Sequence, residues 1–405
     1  MLALEMFRSL PRTAVGKALG GRLPMVGSAT TPLRLVTRET PSVDKDGWVP
    51  LRTRLSGICG SDLGALSGAT SLYFSALVSL PFVPGHEVVA DLQEDCEDLP
   101  KGTRVVVDSV LTCATRGLQP CADCAAGATN RCSRVAVGHL PPALQTGFCR
   151  ATGGGWGQQL TAHRSQLHVV PAEYSDEQAV LIEPLACAVH TALRAGVTSQ
   201  QRVLVSGAGS VGLLTTLALR ELTPAGEIIV VAKHAHQREL ALRLGASEVV
   251  APREVLRRVR RLTGAFQLEP DFSSPYLLGG VDVAVDAVGN RASLETAMHA
   301  TRAGGRVVLS GMPASADLSA AWFRELELVG SYASARAEPA GVGRAAEPRG
   351  AFEIATELAG LDAVAQLATG VAPYPLHRWR EALDHAQSAG RLGTVKVAFD
   401  PRDTR

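Results

Sequence analysis

The sequence predicts an α/β protein with a doubly wound parallel sheet in its later part and a β-rich earlier part, on three observations. From Gln201 onward, short apolar runs alternate with helical stretches, as in strands joined by crossover helices. Before about residue 185 the texture is irregular, with short apolar runs cut by Gly and Pro. Between a strand run and a helical run stands Gly207-Ala-Gly209-Ser210-Val211-Gly212, which fits G-x-G-x-x-G.

Taken in order, Thr103-Arg-Val-Val-Val-Asp108 and Gln166-Leu-His-Val-Val-Pro171 read as strands of the first part. Val203-Leu-Val-Ser206 is a buried-strand run, and Val211 to Leu222 is helical. Strand Glu227 to Ala232, a helix through Arg238 to Leu244, and strand Ser247 to Val250 follow. Val281 to Asp286, Gly305 to Ser310 and Leu326 to Gly330 continue the sheet. Ala333 to Gly350, rich in Ala, Pro, Arg and Gly, reads as a surface linker. Ala351 to Leu367 reads as a helix, and Thr394 to Phe399 closes the chain as a strand.

With 405 residues, the chain exceeds what one core usually serves, so two domains are expected. Lys plus Arg total 40 against 39 Asp plus Glu, which removes the electrostatic case for nucleic acid or an anionic membrane as main partner. No apolar run approaches the ~20 residues of a membrane-spanning helix. The first residues lack the basic start of a secretory signal. Residues 1 to 38 hold six basic residues against one acid, which keeps a transit peptide in view, but a reducing, cytoplasmic setting is the expectation. Eight cysteines in such a setting point to metal before disulfide.

In the glycine turn, the first Gly permits the tight bend and the second lets backbone approach a pyrophosphate. The third lets helix pack on strand. The free N–H groups of the helix that follows suit phosphate. The alternative is a glycine-rich turn without ligand. An acid at the end of the second strand would hold a ribose 2′-hydroxyl. Glu227 opens that strand, at the wrong end, and the far end reads Ala232-Lys233-His234. Lys233 and His234 therefore suit a 2′-phosphate, and NADP is expected ahead of NAD, unless Lys233 is a solvated surface charge.

A catalytic zinc needs about three protein ligands and an open position. Cys59 as thiolate and neutral His86 supply two, and either Glu87 or Glu183 the third. Taken alone, a Cys and a His so far apart could equally be unrelated core residues. The motif set decides between these readings. Gly57-Ile-Cys-Gly-Ser-Asp62, Pro84-Gly-His-Glu87, Gly154-Gly-Trp-Gly157 and Ile182-Glu-Pro-Leu185 precede the glycine turn. Asp286-Ala-Val-Gly289, Gly304-Gly-Arg-Val-Val308 and Leu328-Val-Gly-Ser331 follow it. Together these resemble the zinc-dependent medium-chain dehydrogenase/reductase family, particularly its polyol, threonine and glucose dehydrogenase branch, from about Leu55 to Phe399.

The resemblance implies a GroES-like β-barrel catalytic domain (1–188), a Rossmann cofactor domain (189–333) and a C-terminal segment (334–405) that returns to the first. It carries zinc ligation onto Cys59 and His86. Glu87 matches the acid beside the ligand histidine, and Glu183 a position held by cysteine or glutamate. Ser61 matches a hydroxyl that relays the substrate proton, and Asp62 a carboxylate that orients the histidine; both could also simply stabilise a turn. Two departures stand out. Leu63-Gly64-Ala65 offers no histidine beyond the relay serine, and Ala69 to Phe82 is a long insertion expected to shape the substrate mouth. The N-terminal segment to Thr40 is longer and less regular than the family's first hairpin.

Cys113, Cys121, Cys124 and Cys132 form C-x7-C-x2-C-x7-C, whereas the family lobe is C-x2-C-x2-C-x7-C with its first position here held by Leu118. A structural zinc then requires Cys113 to swing in; the alternative is a degenerate lobe with free thiols. Cys96, Cys149 and Cys187 read as packing residues. The expected activity is zinc-dependent hydride transfer between an alcohol, polyol or sugar and a nicotinamide cofactor, in a homo-oligomer. The competing readings are a zinc-free quinone or enone reductase of the same fold and a non-catalytic dinucleotide-binding protein.

Overall fold

The structure is a computed structural model that describes residues 1–19, 31–339, 341–342 and 347–403. The chain divides into two compact units, Met1–Glu183 with Thr356–Arg405, and Pro184–Ala355. Among the described residues no helix is long and apolar enough to cross a membrane.

The first unit is organised round the ten-residue strand Trp48–Gly57, long enough to pair with several neighbours. Val88–Leu92 runs antiparallel to it, then Arg104–Val107 and Leu167–Val169. Gln159–His163 takes the start of the long strand on its other edge. The C-terminal strand Lys396–Asp400 joins beyond Ser56 and Gly57, with Val371–Pro375 parallel to it. Three quoted motifs interlock at the end of the long strand. The Gly155 and Trp156 N–H groups donate to the Gly85 and Pro84 carbonyls, and Trp156 Nε1 donates to Gly57 O at 3.3 Å. A Cβ on Gly155 would stand 2.2 Å from Ser56 Oγ, so the close approach requires glycine.

The N-terminal segment proves more regular than expected. Leu2–Met6 pairs antiparallel with Leu33–Thr37, and Ala3, Leu4 and Leu33 pack in a cluster with Trp156 and Phe399. Helix Leu10–Leu19 leaves the first of these strands, and residues 20–30 lie outside the described residues.

The second unit is a six-stranded parallel sheet. Its order is Glu248–Val250, Ile228–Val231, Val203–Ser206, Val281–Asp286, Thr301–Leu309 and Glu327–Gly330. Numbered along the chain this is 3-2-1-4-5-6, whose switch point lies between the strands ending at Ser206 and Asp286, where ligands of such sheets bind. A hairpin of Phe266–Leu268 and Tyr276–Leu278, unanticipated in the sequence, precedes the fourth strand.

Two expectations need correction. The Ala333–Gly350 tract, partly outside the described residues, does run largely at the surface, but it is anchored at three points. Ser334, Ala335 and Glu338 are buried, and Glu338 accepts from His190 Nδ1 at 2.8 Å and Ala335 N at 3.0 Å. The helix from Ala351 breaks into Ala351–Ala359 and Asp362–Ala368, because Leu361 takes an extended backbone (ψ 139°) that a helix cannot continue through; at the break, a Cβ on Gly360 would meet Tyr174 Oη at 2.5 Å.

Candidate functional site

Cys59 lies at the end of the long strand, where it caps helix Gly60–Ser67. Asp62 sits in the first turn of that helix, and its Oδ2 accepts the Cys59 N–H at 2.9 Å, which fixes the thiol's backbone. Its other oxygen, Oδ1, faces His86 Nδ1 at 3.4 Å, outside hydrogen-bond geometry. Ser61 is half-buried in the same turn. His86 and Glu87 precede strand Val88–Leu92 and are nearly inaccessible. Gly57 makes room for the glutamate: a Cβ there would lie 1.9 Å from Glu87 Oε2.

Ligand atoms of Cys59, His86 and Glu87 lie within 4.8 Å of one another. Asp62 Oδ1, His86 Nδ1 and Glu87 Oε2 are buried and hydrogen-bonded to no atom of the protein. Buried polar atoms are rarely left so, and a cation among them would account for the arrangement. Burial works against the His86 imidazolium, but Asp62 and then Cys59 hold its pKa well above the ordinary histidine value.

Glu183 lies outside this trio and is also buried. Its charge is felt at Lys396, a residue that sequence reasoning missed. The Lys396 ammonium, 4% exposed, donates to Glu87 Oε1 at 2.6 Å. Burial lowers its pKa, but Glu87, Cys59 and Glu183 together raise it above the ordinary lysine value, so the residue stays charged. A lysine inside the apolar strand run was the available signal, since lysine is almost never fully buried unless paired.

The cysteine lobe closes as well. Sulfurs of Cys113, Cys121, Cys124 and Cys132 all lie within 4.8 Å of one another. Cys113 reaches them through a turn of 3-10 helix, Ala114–Arg116, ended by Gly117 in the left-handed region (φ 65°). Arg116 is buried and donates to the Val137, Leu140, Pro141 and Ala143 carbonyls, tying the lobe to the following loop. Backbone N–H groups of Cys124 and Ser133 bring the Cys121 thiol down to about 6, while burial pushes Cys124 and Cys132 up.

In the second unit, Gly209 caps helix Ser210–Leu222, with Val211 in its first turn. A Cβ on Gly212 would lie 2.0 Å from Gly207 O, whereas one on Gly209 would meet nothing within 4 Å. The third glycine is thus required by packing, and the second borders open space where a phosphate could approach. At the end of the second strand Ala232 is buried and Lys233 exposed. His234 caps helix Ala235–Arg243, its ring stacked on His236 at 5.8 Å. Glu227 pairs with Arg202 at the opposite end of the strand.

The profile of the alcohol dehydrogenase GroES-like domain matches residues 45–172, and that of the zinc-binding dehydrogenases residues 210–347. The sorbitol dehydrogenase of Arabidopsis thaliana is 30% identical over 290 residues, 70% of this chain and 73% of that protein. The L-idonate 5-dehydrogenase of Vitis vinifera is 29% identical over 292 residues, 70% of this chain and 73% of that one. The crystal structure of the 2R,3R-butanediol dehydrogenase of Bacillus subtilis superposes with a TM-score of 0.66. It is 23% identical and covers 91% of this chain and 96% of that one.

Proposed function

We propose that this chain, which belongs to the zinc-binding alcohol dehydrogenase family, moves a hydride between an alcohol or polyol, or the matching carbonyl, and a nicotinamide dinucleotide. The observation that carries this reading is the convergence of Cys59, His86 and Glu87, where buried His86 Nδ1, Glu87 Oε2 and the neighbouring Asp62 Oδ1 are hydrogen-bonded to no atom of the protein. Cys59, His86 and Glu87 would hold the zinc, with Glu183 adding its charge from beside Lys396. When bound, zinc supplies a Lewis acid to the substrate oxygen, and the nicotinamide supplies the hydride acceptor or donor.

The chain's own groups prepare and serve that chemistry. Asp62 orients His86 and holds the backbone of Cys59. Lys396 pairs with Glu87 and offsets its charge in a buried setting. Ser61 Oγ relays the substrate's hydroxyl proton, accepting it as it passes its own on, and with no histidine at Leu63-Gly64-Ala65 the next acceptor is another group, the cofactor ribose or water.

Gly207, Gly209 and Gly212 admit the pyrophosphate to the helix N-terminus at Ser210 and Val211. NADP is preferred over NAD, because Ala232 offers no carboxylate and Lys233 and His234 can meet a 2′-phosphate. The four lobe cysteines hold a second, structural zinc, and a reducing cytoplasmic setting keeps them available as thiols. Similarity to sorbitol and L-idonate dehydrogenases supports a polyol or sugar acid as substrate. The test is a panel of alcohols, polyols and sugars with both cofactors, run beside Cys59→Ala. Turnover of a polyol by the native chain and not by the variant supports the reading, and equal turnover by both sinks it.

A further inference from the structure

Two neighbouring residues of helix Ile182–Arg194, His190 and Thr191, are buried in the second unit and take no part in the chemistry above. His190 Nδ1 faces both oxygens of Glu338, at 2.8 and 2.9 Å, and Glu338 is 1% exposed. Polar groups so deeply buried are costly unless paired, so the contact is held in one geometry. Thr191 gives its proton to the Cys187 carbonyl at 2.9 Å. Its oxygen then accepts from Ser310 Oγ at 3.1 Å and Ser331 Oγ at 3.0 Å.

These contacts grip one piece of backbone at its two ends. Ser331 is the first residue past the last strand, Glu327–Gly330, and Glu338 closes a turn by accepting the Ala335 N–H at 3.0 Å. Glu338 N donates in turn to Arg349 O, and Ala351 N to Ala335 O. Between the grips Ala333 stands in the left-handed region (φ 50°), where a side chain is disfavoured. A residue other than glycine keeps such a conformation only where its surroundings over-determine it, and such places cluster at ligand clamps.

The position of this turn in the sheet names the ligand. A dinucleotide spans the two halves of a 3-2-1-4-5-6 sheet at the carboxyl ends of the strands, with its phosphates at the glycine turn. The adenosine ribose belongs at the end of the second strand, here Ala232 and Lys233, so the nicotinamide half runs over the ends of strands four to six. Ser310 and Ser331 directly follow strands five and six, Thr301–Leu309 and Glu327–Gly330, and Tyr332 beside them is exposed.

We propose that His190, Thr191 and Glu338 are positioning residues: they brace the turn 331–335 so that it receives the nicotinamide end of the cofactor. This role rests on the dinucleotide reading of the glycine turn.

Equilibrium binding to the full chain separates the two halves of the cofactor. NADPH and NADH are followed by fluorescence, and ADP-ribose and its 2′-phosphate, which lack nicotinamide, by calorimetry. Glu338→Ala and Thr191→Val should each weaken the reduced dinucleotides about tenfold or more and leave ADP-ribose and its 2′-phosphate within about twofold of native. Glu338→Gln, whose amide oxygen can still accept from both N–H groups, should bind nearly as the native chain does. Thr191→Val keeps the shape of the side chain and carries the test if Glu338→Ala does not fold. Equal weakening of all four ligands, or of none, overturns the proposal: the first makes the brace a general element of the fold, and the second means that other contacts set the turn. A native chain that binds none of the four overturns the dinucleotide reading itself, and this role with it.

Discussion

The two donor clusters of the first unit both contain cysteine, yet their surroundings differ in kind. Cys59, His86 and Glu87 come from separate segments, and different neighbours hold them: Asp62 steadies the cysteine and faces the histidine, and Lys396 grips the glutamate. Cys59 is partly accessible, and buried polar atoms around it lack hydrogen-bond partners in the protein. The lobe draws four sulfurs from one short stretch. Backbone N–H groups of Cys121 and Arg134 already reach its sulfurs, and Arg116 staples it to the next loop. Zinc sites divide along these lines: catalytic ones mix ligand types and keep a position open, whereas structural ones are closed and thiolate-rich.

The largest expected effect breaks the first cluster alone. His86→Ala should lower turnover by at least about 10³-fold, or about 4 kcal/mol of barrier. Nicotinamide binding, followed by fluorescence, should change little, and the lobe should keep its zinc. Equal loss of both zincs would show that the clusters are not independent.

Next, Lys396→Met should strand the buried Glu87 carboxylate and cost about 3–5 kcal/mol of unfolding free energy by denaturant titration. Lys396→Arg should recover part of this, since the charge is kept. A neutral result for Lys396→Met would mean that Glu87 is held by something other than this lysine.

Cys113→Ser should remove one zinc per chain by elemental analysis and lower Tm by roughly 5–10 °C, with turnover at moderate temperature within a few-fold of native. An unchanged zinc count would make the lobe a set of free thiols and dissolve the comparison.

The smallest change leaves both clusters alone. Ala232→Asp with Lys233→Ala should move the NADP-to-NAD ratio of kcat/KM towards NAD by about ten- to a hundredfold, the reach of one charge-assisted contact. A native enzyme that already favours NAD would show Lys233 pointing into solvent.

The second unit was the more legible in the sequence, because parallel strands buried on both faces leave unbroken apolar runs, as at Val203–Ser206 and Val281–Asp286. The Cys59–His86–Glu87 cluster was legible only through its motifs; nothing local links Cys59 to His86. Lys396 was missed because its meaning depends on Glu87, far away in the chain. Arg116 reads as an ordinary surface arginine until four carbonyls converge on it. The Phe266–Leu278 hairpin was missed because its strands are three residues each and carry an outward apolar face, against the pattern of a half-buried strand.

The central claim is that the Cys59–His86–Glu87 cluster is a catalytic metal centre. The most direct measurement is turnover of the chelator-stripped chain on a polyol panel with NADP and NAD, before and after zinc is returned. No turnover in the stripped protein and recovery on adding zinc is the predicted result. Full turnover without metal would contradict it and make the chain a zinc-free reductase on the same fold.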